Sequence, residues 1–254
     1  MPDVASTNMA MGILGAGVCI PDAGLASELQ LDDCALDIAI LPTMVRRRTS
    51  LATRIAVSAA SRACAVAGGD LQIPAIFVSA AGEMQVTDRL CRAIAGEAYP
   101  LSPTQFHNSV HNSASAYWSM ATGSMAPMQA MSTLQDCFAM GLLEAACQLQ
   151  WQTEPVLLVV YDEPMPGDLL PGFDWQAFGF ALLLGAPARD LPCVSRPYVQ
   201  NGGVTRDGPT DLSARTPAMA GLPLLQALHN PASGSYRLPV TTGADGWMIG
   251  LELP

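Results

Sequence analysis

The run Ser132-Thr133-Leu134-Gln135-Asp136-Cys137-Phe138-Ala139-Met140-Gly141 is where this chain could mount a reactive group. Residues Pro127 to Met131 are short and mixed apolar, as a strand would be. From Leu134 to Leu149, apolar residues cover nearly every face of a helix, interrupted only by Gln135, Asp136, Gly141, Glu144 and Gln148. Such a helix lies inside the molecule, and its first turn offers unpaired N–H groups and the positive end of a dipole. A serine or cysteine there is a nucleophile. This chain has Gln135, whose amide does not ionise at neutral pH and is not among the side chains that form acyl intermediates. Cys137 comes two residues later, a step that turns a helix by about 200°. Its thiol therefore faces away from Gln135 and reads as a small buried hydrophobe. A thiolate stabilised by the helix terminus is the competing reading.

Other chemistry-bearing residues give weaker signals. His107 and His111 are four apart, and a helix over Asn108 to Thr122 with its preceding turn would put them on one face at a metal-binding spacing. Two imidazoles make half a site, and no glutamate completes an H-E-x-x-H pattern, so we expect no metal. With Asn108 and Asn112 they form a polar face opposite Val110, Ala114 and Tyr117, suited to backbone hydrogen bonds or an interface. Gly15-Ala16-Gly17 lacks the third glycine and following helix of a dinucleotide fingerprint, so no cofactor is implied. Arg46-Arg47-Arg48, with Arg54 nearby, is the one basic cluster; it is either a solvated start to a helix or a contact for a partner.

Strands are expected at Met11 to Ile20, Ala75 to Ala80, Met128 to Thr133, Val156 to Tyr161 and Phe178 to Leu184. Helices are expected at Ser50 to Ala67, Gln85 to Ala95, Asn108 to Thr122 and Gln135 to Leu149. This alternation makes an α/β sheet covered by helices on both faces. Val156-Leu157-Leu158-Val159-Val160 and Ala181-Leu182-Leu183-Leu184 are apolar throughout, as strands buried on both faces are. From about 187 to 221 prolines, glycines and polar residues read as a loop excursion. A short helix near Pro223 to Leu228 and a last strand at Trp247 to Leu253 then return to the sheet. The whole of 1–254 is expected to form one domain.

Composition narrows the functions. The net charge is −10, with no lysine, which argues against nucleic acid. Only 13% of residues are charged, about half the usual share, so the surface has little to hold other chains away and an obligate interface is expected. No apolar run approaches the roughly 20 residues of a membrane span, and the first residues lack the pattern of a signal peptide. Seven cysteines without a C-x-x-C pair suggest reduced thiols and a cytoplasmic protein.

Several of these segments, in order, resemble the N-terminal half of ketosynthases of the thiolase superfamily. Pro127 and Ala145 flank Gln135 as they would flank the catalytic cysteine of those enzymes. Met11 to Val18, Leu41-Pro42 with Arg46-Arg47-Arg48, Phe77-Val78-Ser79-Ala80-Ala81-Gly82-Glu83, Ser102 to Asn112 and Phe178 to Leu184 are similar to the strands, basic turn and loops of short ketosynthase-like N-terminal domains. The resemblance implies half of a thiolase-like α/β fold, with a mixed sheet covered by helices and a second half absent or much reduced. The two catalytic histidines of a ketosynthase belong to that second half; the one late histidine, His229, lies in no matching context.

A glutamine in place of the nucleophile resembles chain-length factors, the inactive partners of type II polyketide ketosynthases. The resemblance implies a non-catalytic subunit that forms a heterodimer with a full-length ketosynthase and meets an acyl carrier protein only indirectly. Counting back from Gln135, Thr104, Gln105, Phe106 and His107 fall where ketosynthase dimers reach across the subunit boundary to close the neighbour's acyl pocket; ordinary loop packing is the competing reading. Short relatives suggest aryl polyene biosynthesis. A stand-alone malonyl-carrier decarboxylase using Gln135, a Cys137 thioesterase and a lone acyl-binding homodimer remain as alternatives.

Overall fold

The computed structural model describes residues 10–69, 71–97, 99–133, 136–169, 174–199, 206–207, 216–238 and 247–254. Its elements are β1 (Ala10–Cys19), α1 (Ala23–Glu28), α2 (Thr43–Arg46), α3 (Leu51–Val66), β2 (Ala75–Val78), α4 (Met84–Ala95), α5 (Pro103–Asn108), α6 (Ser113–Thr122), β3 (Met128–Met131) and α7 (Cys137–Gln148). Next come β4 (Val156–Asp162), β5 (Phe178–Gly185), β6 (Cys193–Ser195), β7 (Tyr198–Val199), β8 (Arg206–Asp207), a 3-10 helix (Pro217–Gly221), α8 (Leu222–His229), β9 (Gly234–Arg237) and β10 (Trp247–Glu252). The strands make one sheet in the order β3-β2-β4-β5-β1-β6-β10-β9-β8, with β7 beside β10. β2 runs parallel to both β3 and β4, whereas β5 is antiparallel to β4 and to β1. The mixed α/β sheet expected from the sequence is the one observed.

Strand periodicity deals the side chains into two cores. On β2, Ile76 and Val78 join one cluster and Ala75 and Phe77 the other; on β4, Leu158 and Val160 oppose Leu157, Val159 and Tyr161. This is why these strands are apolar at every position. Leu142, Ala145 and Phe138 of α7 belong to the first core, with Ala218, Met219 and Leu224 beyond them. Ile55, Ala59 and Ala63 of α3 and Trp118 of α6 belong to the second. The helix α3 lies unusually close to the sheet. A Cβ added to Gly15 would sit 2.2 Å from Ala63 O, and one added to Gly17 would sit 2.3 Å from Ala59 O. Gly15-Ala16-Gly17 is thus a seat for a helix.

Two expectations need correction. The helix foreseen over Asn108 to Thr122 is two helices, α5 ending at Asn108 and α6 starting at Ser113, separated by a turn. Ser109 and Asn112 account for the break: the Ser109 hydroxyl donates to Phe106 O at 2.9 Å and Ser115 Oγ to Asn112 O at 2.9 Å, local bonds that compete with a continuous ladder. Nor is the 187–221 excursion a plain loop where it is described. Val194 is fully buried in β6, between β1 and β10, and Pro217 to Gly221 form a buried turn packed on α7 and β5. A three-residue strand and one 3-10 turn are too short to show a period among prolines and glycines. Other parts of the excursion lie outside the described residues.

Candidate functional site

The parallel strands β2, β3 and β4 end together, and the segments leaving their C-terminal ends form the site, the usual position in an α/β sheet. These are Ser79 to Glu83, Ser132-Thr133 with Asp136 at the start of α7, and Asp162-Glu163. Asp162 ties the first to the core. Its Oδ1 accepts from Ser79 Oγ at 2.8 Å and from the Ala80 N–H at 2.9 Å, and its Oδ2 accepts from the Ala218 N–H at 3.0 Å. The Ala81 N–H adds a further bond. Burial is the largest influence on this carboxyl and pushes it up to about 6 against the pull of these donors. Ser79 Oγ accepts from the Gly82 N–H at 2.8 Å, and Ser132 Oγ donates to Ala80 O at 2.9 Å. The loop is therefore held from three sides.

The helix α7 is entered through a residue in an unusual backbone conformation. Asp136, the residue before α7, has φ 57° and ψ 23°, a left-handed conformation that costs a non-glycine residue on the order of 1 kcal/mol. Gln135 itself, with Leu134, lies outside the described residues. Cys137 opens α7 with its side chain fully buried. Its Sγ accepts from Thr133 Oγ1 at 3.4 Å. Burial pushes this thiol up to about 11, and the Asp162 charge adds to the rise. A thiol so placed is not a thiolate at neutral pH, and the helix N-terminus does not change that.

His107 and His111 part company at the break between α5 and α6. His111 Nε2 lies 3.2 Å from Ser79 O, so the N–H tautomer binds the site loop. Its ring sits over Gly82, where an added Cβ would be 3.0 Å from His111 Cδ2 at a φ of +63°. His107 packs edge-on against Tyr117, with ring centroids 6.0 Å apart. Asn108 is buried, not part of a polar face: the Tyr117 hydroxyl donates to its Oδ1 at 2.8 Å, and its Nδ2 donates to Arg48 O. Among the described residues no group of three or more His, Cys, Asp or Glu side chains could hold a metal ion.

The four residues from Thr104 to His107 occupy α5, whose start is capped by Ser102 accepting the Gln105 N–H at 3.3 Å. They do not converge. Thr104 and His107 line an open cavity of about 270 Å³ together with Val45, Arg48, Tyr117 and Met120. Phe106 is 68% exposed, and Gln105 is half-buried. The basic cluster is smaller than the sequence suggests. Arg46 donates to Leu41 O at 2.6 Å and Ala39 O at 2.7 Å, and Arg54 to Thr49 Oγ1 at 3.0 Å and Arg46 O at 2.8 Å. These two hold the approach to α3, leaving Arg47 and Arg48 exposed.

Sequence reasoning missed Asp162, Glu163 and Glu83, all buried at this end of the sheet. The available signal was two adjacent acids directly behind the all-apolar strand Val156 to Tyr161, where a charge is either exposed by a turn or buried for a purpose.

Residues 25–247 match the family described as the beta-ketoacyl synthase N-terminal domain. The chain belongs to that family. Among solved structures, a chain of the ketosynthase ApeO in complex with its chain length factor ApeC from Xenorhabdus doucetiae superposes with a TM-score of 0.70 at 20% identity, covering 95% of this chain and 99% of that one. The ishigamide ketosynthase/chain length factor gives 0.70 at 11% identity, with 96% and 99% covered. A complex of a type II polyketide acyl-carrier protein with its hexaketide-bound ketosynthase, AntDE:AntF, gives 0.56 at 15%, with 71% and 64% covered. At these identities the likeness is one of fold, the layered thiolase-like α/β architecture of ketosynthases and chain length factors. No curated protein sequence matches the chain. No helix among the described residues is long and apolar enough to cross a membrane.

Proposed function

We propose that this chain, folded as one domain, is a catalytically silent, chain-length-factor-like subunit that pairs with a full-length ketosynthase and shapes its acyl tunnel during polyketide elongation. The observation that carries the reading is at the elbow. The helix N-terminus at α7 follows a left-handed Asp136, yet its cysteine is a buried, protonated thiol and the residue before Asp136 is a glutamine. A scaffold that keeps the mount and lacks the nucleophile serves by contact.

A second observation supports a partner. β3 is an edge strand, bonded to β2 on one side only among the described residues. Met125, three residues before it, is 92% exposed, and elsewhere on the surface Phe106, Val110 and Met120 are exposed too. Unpaired edges and apolar patches of this kind mark interfaces. In this reading Thr104, Gln105, Phe106 and His107 contribute to the interface and tunnel, an aryl polyene is the product class, the protein acts in the cytoplasm, and the carrier protein docks mainly on the ketosynthase. Co-expression with a full-length ketosynthase from the same organism and subsequent native mass spectrometry should give a 1:1 complex. Two separate monodisperse proteins would refute the proposal. Release of CO2 from malonyl carrier by the isolated chain, lost in Gln135→Ala, would instead favour the decarboxylase.

A further inference from the structure

Two buried polar residues fix the chain beside the open cavity at α5. The Tyr117 hydroxyl of α6 donates to Asn108 Oδ1 at 2.8 Å, and Asn108 Nδ2 donates in turn to Arg48 O. Tyr117 and Asn108 are 3% and 4% exposed. The turn that carries Arg48 is also held from its other side, because Arg54 Nη2 donates to Arg46 O at 2.8 Å and Thr49 Oγ1 to the same oxygen at 2.9 Å. The backbone under Arg48 is therefore rigid, while its side chain is exposed and makes no hydrogen bond or ion pair among the described residues. Arg46 gives the contrast, with its guanidinium bonded to the Leu41 and Ala39 carbonyls.

Arg48, Thr104 and His107 line the cavity of about 270 Å³ together with the apolar side chains of Val45 and Met120 and the ring of Tyr117, and no acidic residue lines it. A guanidinium is all donor and no acceptor, so the group that completes it is an anion. The apolar walls beside it favour a hydrocarbon chain over water. The cavity has room for roughly nine groups the size of a water molecule, which suits a short acyl chain and is too small for a nucleotide. We propose that this cavity binds a medium-chain carboxylate, with the anionic head on Arg48 and the chain against Val45, Tyr117 and Met120.

The surroundings agree. A chain of net charge −10 repels anions at a distance, so capture depends on a local cation that is already in position. A mount held by the relay through Asn108 reduces the freedom that binding would have to remove. The His107 ring, edge-on to Tyr117 with centroids 6.0 Å apart, brings a second N–H donor to the same cavity. None of the residues around Asp136, Cys137 or Asp162 lines it. The site therefore needs neither the turn into α7 nor a partner, and it stands or falls apart from the proposed pairing, although it shares Thr104 and His107 with the proposed interface.

Isothermal titration calorimetry of the purified full-length chain tests the site with octanoate, octanol and acetate, which supply head and chain together, the chain alone and the head alone. Octanoate should bind one to one, with octanol and acetate weaker by at least about tenfold, the order expected when a charge-assisted hydrogen bond or the apolar contact is lost. Arg48→Gln should weaken octanoate by at least about tenfold and leave octanol unchanged. Arg47→Gln removes an exposed arginine that does not line the cavity and should stay within about twofold of wild type, as a screened charge would. The proposal is overturned if octanoate shows no saturable binding, if octanol binds as tightly as octanoate, or if both arginine substitutions weaken octanoate equally, as a diffuse basic patch would. The Arg48 side chain bonds nothing among the described residues, so its variant should fold; the three wild-type titrations decide even if it does not.

Discussion

Cys137 has one requirement of a reactive thiol, a place at a helix N-terminus, and lacks the other, contact with water or a cation. Its sulfur is fully buried, its close donor is Thr133, and the carboxyl of Asp162 nearby has the wrong sign to favour a thiolate. The 200° step expected from the sequence does not apply, because α7 begins at Cys137 after a left-handed Asp136; it is burial that points this thiol inward. In the native protein, brief iodoacetamide labelling with peptide mapping should modify the exposed Cys91 and Cys147 and leave Cys137 unmodified until denaturant is added. Selective labelling of Cys137 first would restore the thioesterase reading. At this scale the sequence was legible where a residue type excludes chemistry, as with Gln135. It was opaque where a role arises only from burial: nothing in Tyr161-Asp162-Glu163 alone says that Asp162 accepts four hydrogen bonds or that Glu163 accepts the Gln85 N–H of α4.

The packing of α3 shows why elements were easier to foresee than their contacts. Ser50 accepts the Thr53 N–H at 3.0 Å and starts the helix, and the run of alanines and Ile55 continues it, so its limits were visible to within a residue. The reason for Gly15 and Gly17 was not, because the partner is a backbone carbonyl more than 40 residues away. We expect Gly17→Ala to destabilise the fold by about 3 kcal/mol, since neither the Ala59 carbonyl nor the Ala63 N–H 2.5 Å away can yield without moving the helix. Gly167→Ala, where nothing lies within 4 Å of the added carbon, should fall within about 0.5 kcal/mol of wild type. Urea denaturation of both variants checks the contrast, and equal losses would show that α3 adjusts freely. The strands β6 and β9 and the buried turn at Pro217 to Gly221 were hidden for a related reason. They are short, and long-range pairing with β1 and β10 stabilises them more than local propensity does.

For the molecule as a whole, acidity and a sheet edge that is open among the described residues set the behaviour. Asp162, at about 6, Glu163, at about 7, and Glu83 are all raised by burial, so the folded state binds protons more tightly than the unfolded chain between about pH 4 and 7. Stability should then fall as pH rises across that window, by on the order of 2 kcal/mol for Glu163 alone, and relief of the −10 net charge acts in the same direction. Thermal melts should give a higher midpoint at pH 5.5 than at pH 8; a midpoint that climbs toward pH 8 would contradict the burial argument. The edge supplies the sharper test. Pro127 O and Met131 O accept from Ala75 and Ser79 across the β2 ladder, at 3.0 and 3.2 Å. Residues alternate along a strand, so Met128 and Ala130 turn their N–H and C=O groups to the open side. Ala130→Pro therefore removes an outward donor and no ladder bond, a substitution edge strands tolerate. If the partner adds to this edge, the variant should keep the circular dichroism spectrum and melting temperature of the wild type within a few degrees and lose the ketosynthase complex on size-exclusion chromatography. A variant that folds and still elutes with the ketosynthase would place the interface elsewhere on the surface.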